Sequence, residues 1–263
     1  MDFGLAGKRA LITGGSSGIG LGIARILVSE GVKVAVASRD PDIAAIDALS
    51  NGDIKVLSIK ANVSSEEQVI RMIREAESGL GGLDFYINNA AWTWHQPVTG
   101  ITSEALISTI NTNLFACVYA CREAMKLFVA QGHGGILIIG STARFTLAYN
   151  ETAYRISKTG LKTLCENLAV EAAPYGIRVN MITPGHFKTR MTSGINAADE
   201  EKLKRAILLH RFGHPEEIGR AAAFLLSDVM SSYTTGADIV VDGGLSLQPF
   251  TFLTEDEIYA LNR

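Results

Sequence analysis

Short apolar runs alternate with amphipathic stretches from one end of the chain to the other. Residues 8–13 form an apolar run that stops at Gly14 and Gly15, after which Ile19, Ile23, Ile26 and Leu27 recur at helical spacing. Gly31 closes that helix, as a residue that tolerates a left-handed turn should. Valine-rich residues 32–37 predict a second strand. Residues 40–49 predict a short helix with Asp40 as N-cap and Pro41 at its first position. Residues 54–59 read as a third strand, and Ser64 or Ser65 caps a helix over 66–78. Residues 83–87 are a fourth strand, followed by two helical patterns over 103–112 and 113–131. Strands at 135–139, 177–182 and 238–241 then alternate with helices at 154–173 and 215–227.

Strands that are apolar throughout, joined by amphipathic helices, predict a parallel sheet covered on both faces. Right-handed crossovers make it doubly wound. The expected fold class is α/β, with seven parallel strands and helices on both faces. No low-complexity linker or internal repeat interrupts the pattern, so residues 1–263 are expected to form one domain. Two segments stand outside the alternation. Residues 187–212 are a polar, helical insertion expected to act as a substrate lid, and residues 245–263 are a tail.

The composition narrows the possibilities. With 47% apolar and 19% charged residues the chain is no disordered polymer, and a net charge of −3 gives no footprint for nucleic acid. No apolar run reaches the ~18 residues of a membrane span, and the first residues carry no basic-then-apolar leader. The three cysteines Cys117, Cys121 and Cys165 form no even framework and fit a reducing compartment, so a cytoplasmic location is expected. Cys117 and Cys121 lie in an apolar stripe with Leu114, Val118, Met125 and Phe128, and no histidine stands near them to complete a metal site. No metal is expected. What stands out is 26 glycines.

Several of those glycines fall in one place. Thr13-Gly14-Gly15-Ser16-Ser17-Gly18-Ile19-Gly20 joins the first strand to the first helix. Gly14, Gly18 and Gly20 suit a tight turn, close backbone approach to a pyrophosphate and close helix packing. The helix N-terminus offers N–H groups and a positive dipole end to phosphates. The predicted strand–turn–helix context is Rossmann-like. At the end of the second strand, where an acid would select the ribose of NAD, the chain has Ser38 and then Arg39. A guanidinium suits a 2′-phosphate, so NADP(H) is expected over NAD(H), the other reading being that Arg39 is a solvated surface residue.

Tyr154 and Lys158 stand four apart on one helical face, and Ser141 follows the fifth strand. With these residues the chain resembles the short-chain dehydrogenase/reductase family of the compact, classical type. The resemblance spans about residues 5–246 and rests on TGGSSGIG at 13–20, NNA at 88–90, Asn113, Ser141, YRISK at 154–158, PG at 184–185 and DGG at 242–244, in order. It implies that Tyr154 is the general acid/base and that Ser141 binds the substrate oxygen. Lys158 would lower the Tyr154 pKa and hold the nicotinamide ribose, and Asn113 would anchor a water relayed to Lys158. Asn111 competes for that last place, but the Asn113–Leu114 pair favours Asn113. Further cofactor contacts implied by position are Ser16, Ser17, Ile19, Asn62, Val63, Asn89, Ala90, Pro184, Gly185, Phe187 and Thr189. The chain departs from the family at Asn62, where aspartate is usual, and at Ala91, where glycine is frequent.

Substrate contacts are expected from Trp92, Trp94, His95, Phe145, Tyr149 and His186. Both tryptophans of the chain fall in one loop, which suits an apolar or ring-bearing small molecule; packing against the lid or a second subunit would explain them equally. The expected reaction interconverts a secondary alcohol and a ketone. An acyl-carrier-protein reductase is the alternative, with a non-catalytic nucleotide sensor further off. The helices over 113–131 and 154–173, with Leu161, Leu164, Cys165 and Leu168, are expected to pair across two-fold axes in a homotetramer, a dimer of dimers.

Overall fold

A computed structural model of the chain describes residues 2–50, 52, 55–146, 150–189, 194 and 196–247. Seven strands form one parallel sheet: β1 (Arg9–Thr13), β2 (Lys33–Ser38), β3 (Leu57–Lys60), β4 (Phe85–Asn88), β5 (Gly134–Ile139), β6 (Ile177–Pro184) and β7 (Asp238–Val241). Their order is β3-β2-β1-β4-β5-β6-β7, and every pairing is parallel. The α/β doubly wound expectation holds.

The period-2 geometry of a strand sends neighbouring side chains to opposite faces. In β1, Leu11 therefore joins one core cluster while Ala10 and Ile12 join another. The first cluster is covered by α3 (Glu66–Leu80), the α5 helix (Ala116–Gln131) and α6 (Thr152–Ala172), and the second by α1 (Gly18–Ser29) and α8 (Pro215–Leu226). Two glycines let α1 and α8 touch. A Cβ on Gly22 would fall 2.4 Å from the Pro215 carbonyl carbon, and one on Gly219 would fall 2.7 Å from the Gly22 carbonyl oxygen.

The helix after β2 starts later than its sequence suggests. It runs over Ile43–Asp47 (α2), and the Asp42 carboxylate caps it by accepting from Ala45 N at 3.1 Å. Asp40 caps nothing; its carboxylate pairs with Arg39. The third strand covers only Leu57–Lys60, and Ile54 lies outside the described residues. The two helical patterns before β5 form one rod: α4 (Ser103–Ile110), a π turn over Asn111–Phe115, then α5.

The lid segment holds a ten-residue helix, α7 (Ala197–Ala206). Its Leu203 and Ala206, with Ile207 and Phe212, close a small cluster on Leu245. Leu245 opens a short 3-10 turn, Leu245–Leu247, and the tail beyond it lies outside the described residues. A four-residue helix, α9 (Asp228–Ser231), precedes β7.

The face expected on α6 for subunit pairing is mostly internal. Leu161, Cys165 and Leu168 are buried in the first cluster and Leu164 packs against it, because their side of α6 lies on the sheet. Cys117, Cys121 and Cys165 are all buried there as free thiols. No helix among the described residues is long and apolar enough to cross a membrane.

Candidate active site

A cleft of about 840 Å³ opens at the carboxyl ends of β1, β2, β4 and β5. Strand order reverses between β1 and β4, and crossovers leaving in opposite directions create a crevice at such a point.

The floor of the cleft is the glycine loop. Gly14 and Gly18 have φ of +66° and +52°, the left-handed region that L side chains rarely adopt. A Cβ on Gly20 would lie 2.3 Å from the Gly14 carbonyl oxygen. The loop is tied on both sides. Asn89 donates from Nδ2 to the carbonyls of Thr13 at 2.9 Å and Gly14 at 3.2 Å, and Ser16 Oγ meets Ser38 Oγ at 2.9 Å. Thr13, which sequence reasoning passed over, accepts on Oγ1 from the backbone N–H groups of Asn89 and Ala90, at 3.0 and 3.1 Å. Its position at a strand end, with the side chain turned toward β4, was the available signal.

Ser17 starts α1 in extended conformation and makes no side-chain cap bond, and Ile19 packs against the second core cluster while lining the cleft. Thr189 stands beside the loop, about 3.2 Å from where a Gly18 Cβ would be. Of the four residues named after β6, Thr189 alone lines the cleft: Pro184 ends β6, Gly185 packs on Asp242, and the Phe187 ring is buried in the second cluster. Asn62 and Val63 line the cleft wall. Asn62 Oδ1 already accepts from Ser64 N at 3.1 Å, which leaves it one lone pair.

Arg39 reaches over this half of the cleft. Its Nε lies 3.3 Å from an Asp40 carboxylate oxygen, and its guanidinium carbon lies 5.8 Å from the centre of the Trp92 ring. The cleft thus joins a glycine-built backbone cradle at one wall to an overhanging cation, Arg39.

At the other end stand Ser141, Tyr154 and Lys158. Ser141 caps a 3-10 turn, Thr142–Arg144, accepting from Ala143 N at 3.1 Å. Burial pushes the Tyr154 phenol up to about 12, with the Ser141 hydroxyl acting against the rise and Glu151 adding to it. Burial likewise pushes the Lys158 ammonium down to about 8. Lys158 Nζ donates to the Ile139 carbonyl at 3.0 Å and lies 5.7 Å from the centre of the Tyr154 ring. In the chain alone burial raises the phenol, and the group that opposes the rise is Ser141 rather than Lys158.

Asn113 is buried in the π turn. Its Oδ1 accepts from Trp92 N at 2.7 Å, while Nδ2 donates to Trp92 O at 2.8 Å and Ser157 Oγ at 3.0 Å. Both amide protons are used on protein, so the side chain fixes the Trp92 loop.

Trp92 and Trp94 line the cleft, their rings edge to face at 6.4 Å and 78°. The other named substrate contacts do not line it. His95 is exposed with Nδ1 3.9 Å from Glu151, Phe145 is exposed beneath the Arg144 guanidinium at 4.3 Å, and His186 stacks on Phe212 at 5.9 Å. Burial lowers the His186 pKa, which keeps that ring neutral. Tyr149 lies outside the described residues. Glu104 and Ser108, neither expected, form the opposite wall; they stand one helical turn apart on α4, a spacing the sequence displays.

A family model described as enoyl-(acyl carrier protein) reductase matches residues 14–246. Carbonyl reductase family member 4 of Xenopus laevis is 35% identical over 240 residues, 91% of this chain and 98% of the relative. The 3-oxoacyl-[acyl-carrier-protein] reductase of Mus musculus is also 35% identical, over the same shares. Among solved structures, a short-chain type dehydrogenase/reductase from Mycobacterium marinum superposes with a TM-score of 0.87 at 34% identity, covering 93% of this chain and 97% of that one. The chain belongs to the short-chain dehydrogenase/reductase family. It is an oxidoreductase of a family that uses NAD(P) cofactors.

Proposed function

We propose that the protein is an NADP(H)-dependent oxidoreductase that interconverts a secondary alcohol and a ketone on a small apolar or ring-bearing substrate. The observation that carries this reading is the placement of Tyr154, Lys158 and the glycine loop along one cleft. Residues 1–263 act as one domain in this reading.

The nicotinamide supplies or accepts the hydride when bound. The chain does the rest. Gly14, Gly18 and Gly20 leave room for the pyrophosphate, and the α1 N-terminus faces it with N–H groups. Tyr154 gives its phenolic proton to the substrate oxygen in reduction and recovers it in oxidation. A phenol at about 12 holds its proton at neutral pH, which suits donation to a carbonyl. Ser141 donates to the same oxygen and fixes its position. Lys158, held by the Ile139 carbonyl, keeps a positive charge beside the ring. Trp92 and Trp94 supply the apolar wall.

Reduction of 3-oxoacyl groups on a carrier protein is the second reading, favoured by the name of the mouse relative. Docking an acidic carrier calls for free basic residues. Arg122 is engaged by Glu66 and Glu123, Lys126 by Glu123 and Lys162 by Glu166, which favours the small-molecule reading. A panel of ketones, cyclic ketones and 3-oxoacyl thioesters, each with NADPH and NADH, tests both. Small ketones turned over faster with NADPH are the expected result. Preference for NADH overturns the cofactor assignment, and activity confined to carrier-bound thioesters overturns the substrate class.

Assembly as a dimer of dimers in the cytoplasm belongs to the same reading. The exposed Phe115, Val118, Val129, Ile156 and Val170 are among the apolar groups available to a two-fold contact. A monomer in sedimentation at micromolar concentration overturns it.

A further inference from the structure

Trp92 is held from two directions. Both its backbone groups are bonded to the buried Asn113 amide, at 2.7 and 2.8 Å, so the loop does not drift. Its ring, 43% exposed, then projects toward Arg39, whose guanidinium carbon lies 5.8 Å from the ring centre. Arg39 follows β2, whereas Trp92 follows β4, and β1 with its glycine loop runs between those strands. The Arg39–Trp92 contact therefore spans the adenosine half of the cleft.

A guanidinium interacts with an aromatic ring through its flat face and with a phosphate through the N–H groups in its plane. A cation–π contact through the flat face leaves those in-plane donors available. The Asp40 carboxylate, by contrast, engages Nε in the plane and competes with a phosphate. Ring and phosphate can hold the same arginine; Asp40 and phosphate compete for it.

We propose that Trp92 is a specificity-determining residue, the aromatic half of a strap that holds Arg39 over the adenosine half of the cleft and so favours a 2′-phosphorylated dinucleotide. The proposal rests on the NADP(H) reading above and names a second residue that sets it. Trp92 acts through Arg39 and is therefore a positioning residue.

The test is a double-mutant cycle read by calorimetric titration of the purified enzyme with NADP⁺ and, separately, with NAD⁺, so no turnover is needed. Arg39→Ala weakens NADP⁺ binding about tenfold or more, as for loss of a charged phosphate contact, and leaves NAD⁺ within about twofold. Trp92→Ala weakens NADP⁺ about 2- to 5-fold, the scale of an exposed cation–π contact, with NAD⁺ again unchanged. In the Arg39→Ala background Trp92→Ala changes nothing further, whereas with Arg39 present Trp92→Phe, which keeps a ring, retains most of the NADP⁺ affinity. The outcomes separate the two readings. If Arg39→Ala weakens NADP⁺ while Trp92→Ala leaves it untouched, or weakens both dinucleotides alike in either background, the strap is overturned and the NADP(H) assignment stands. If Arg39→Ala spares NADP⁺, that assignment falls and the strap falls with it. Circular dichroism on each variant separates loss of fold from loss of affinity.

Discussion

The two halves of the cleft are built on different principles. The dinucleotide half is backbone geometry. Gly14 and Gly18 sit at positive φ, Gly20 abuts the Gly14 carbonyl, and side chains of Thr13, Asn89, Ser16 and Ser38 tie the loop to both neighbouring strands. The substrate half is made of side chains on loops. Trp94 is partly exposed, Trp92 reaches from the same loop toward Arg39 in the dinucleotide half, Glu104 and Ser108 line the cleft from α4, and part of the loop between Ser141 and Tyr154 lies outside the described residues. Tyr154 and Lys158 stand between, on the first turns of α6. One half tolerates almost no added atom; the other has room to change its lining.

The strongest way to break that contrast is at the junction. Tyr154→Phe removes one oxygen from a half-buried residue that lines the cleft. A loss of about 10²–10⁴ in kcat at unchanged fold is expected in steady-state assays, the range for a positioned proton donor. Near-full turnover would mean that the cleft's chemistry lies elsewhere.

Next in size is the glycine floor. In Gly20→Ala the new methyl meets the Gly14 carbonyl at a distance no relaxed contact reaches. Overpacking of this kind costs about 1–3 kcal/mol, and dinucleotide affinity should fall about tenfold. Trp94→Ala is the matched change on the opposite side: with its ring 42% exposed, Tm should move by only about 1–2 °C while substrate KM changes. Equal Tm losses in the two variants would erase the distinction between a rigid and an adaptable half.

The last effect is a pH dependence. Lys158 holds its proton less tightly in the fold, at about 8, than in the unfolded chain, where 10.5 is ordinary. Between those values the unfolded chain binds more protons, so stability rises with pH through that window. The gain is on the order of 3 kcal/mol. A thermal-melt series should show it in the native chain, and Lys158→Met should flatten it. An unchanged slope would mean that Lys158 is solvated.

The same division governs what could be read from the sequence. The dinucleotide half was legible because its constraints are local: a strand, a glycine-spaced turn and a helix lie within one short stretch, and each glycine has a steric reason. Tyr154, Lys158 and Ser141 were legible through helical spacing and strand ends. The substrate half depends on directions that only packing sets. His186 and His95 stand beside the cleft in sequence, yet one stacks on Phe212 and the other turns to Glu151. Glu104 and Ser108 went unnoticed because nothing in α4 alone says which face meets the cleft. Asp40 looked like a cap because proline follows it; the helix begins later, and its carboxylate is left for Arg39.

The π turn at Asn111–Phe115 has a consequence for how such a cleft can change. A π turn carries about one residue more than an α turn, so the rod's two segments are out of phase by about 100° relative to an uninterrupted helix. Below the turn, Cys117, Ala120, Cys121 and Ala124 are locked into the core; above it, Glu104 and Ser108 look into the cleft. Loss of a single codon within the turn would close it to an α turn and keep both registers, so Glu104 and Ser108 would still face the cleft. Loss of a codon between the turn and Ser108 would instead swing the α4 register by about 100° and turn a different pair of side chains toward the cleft.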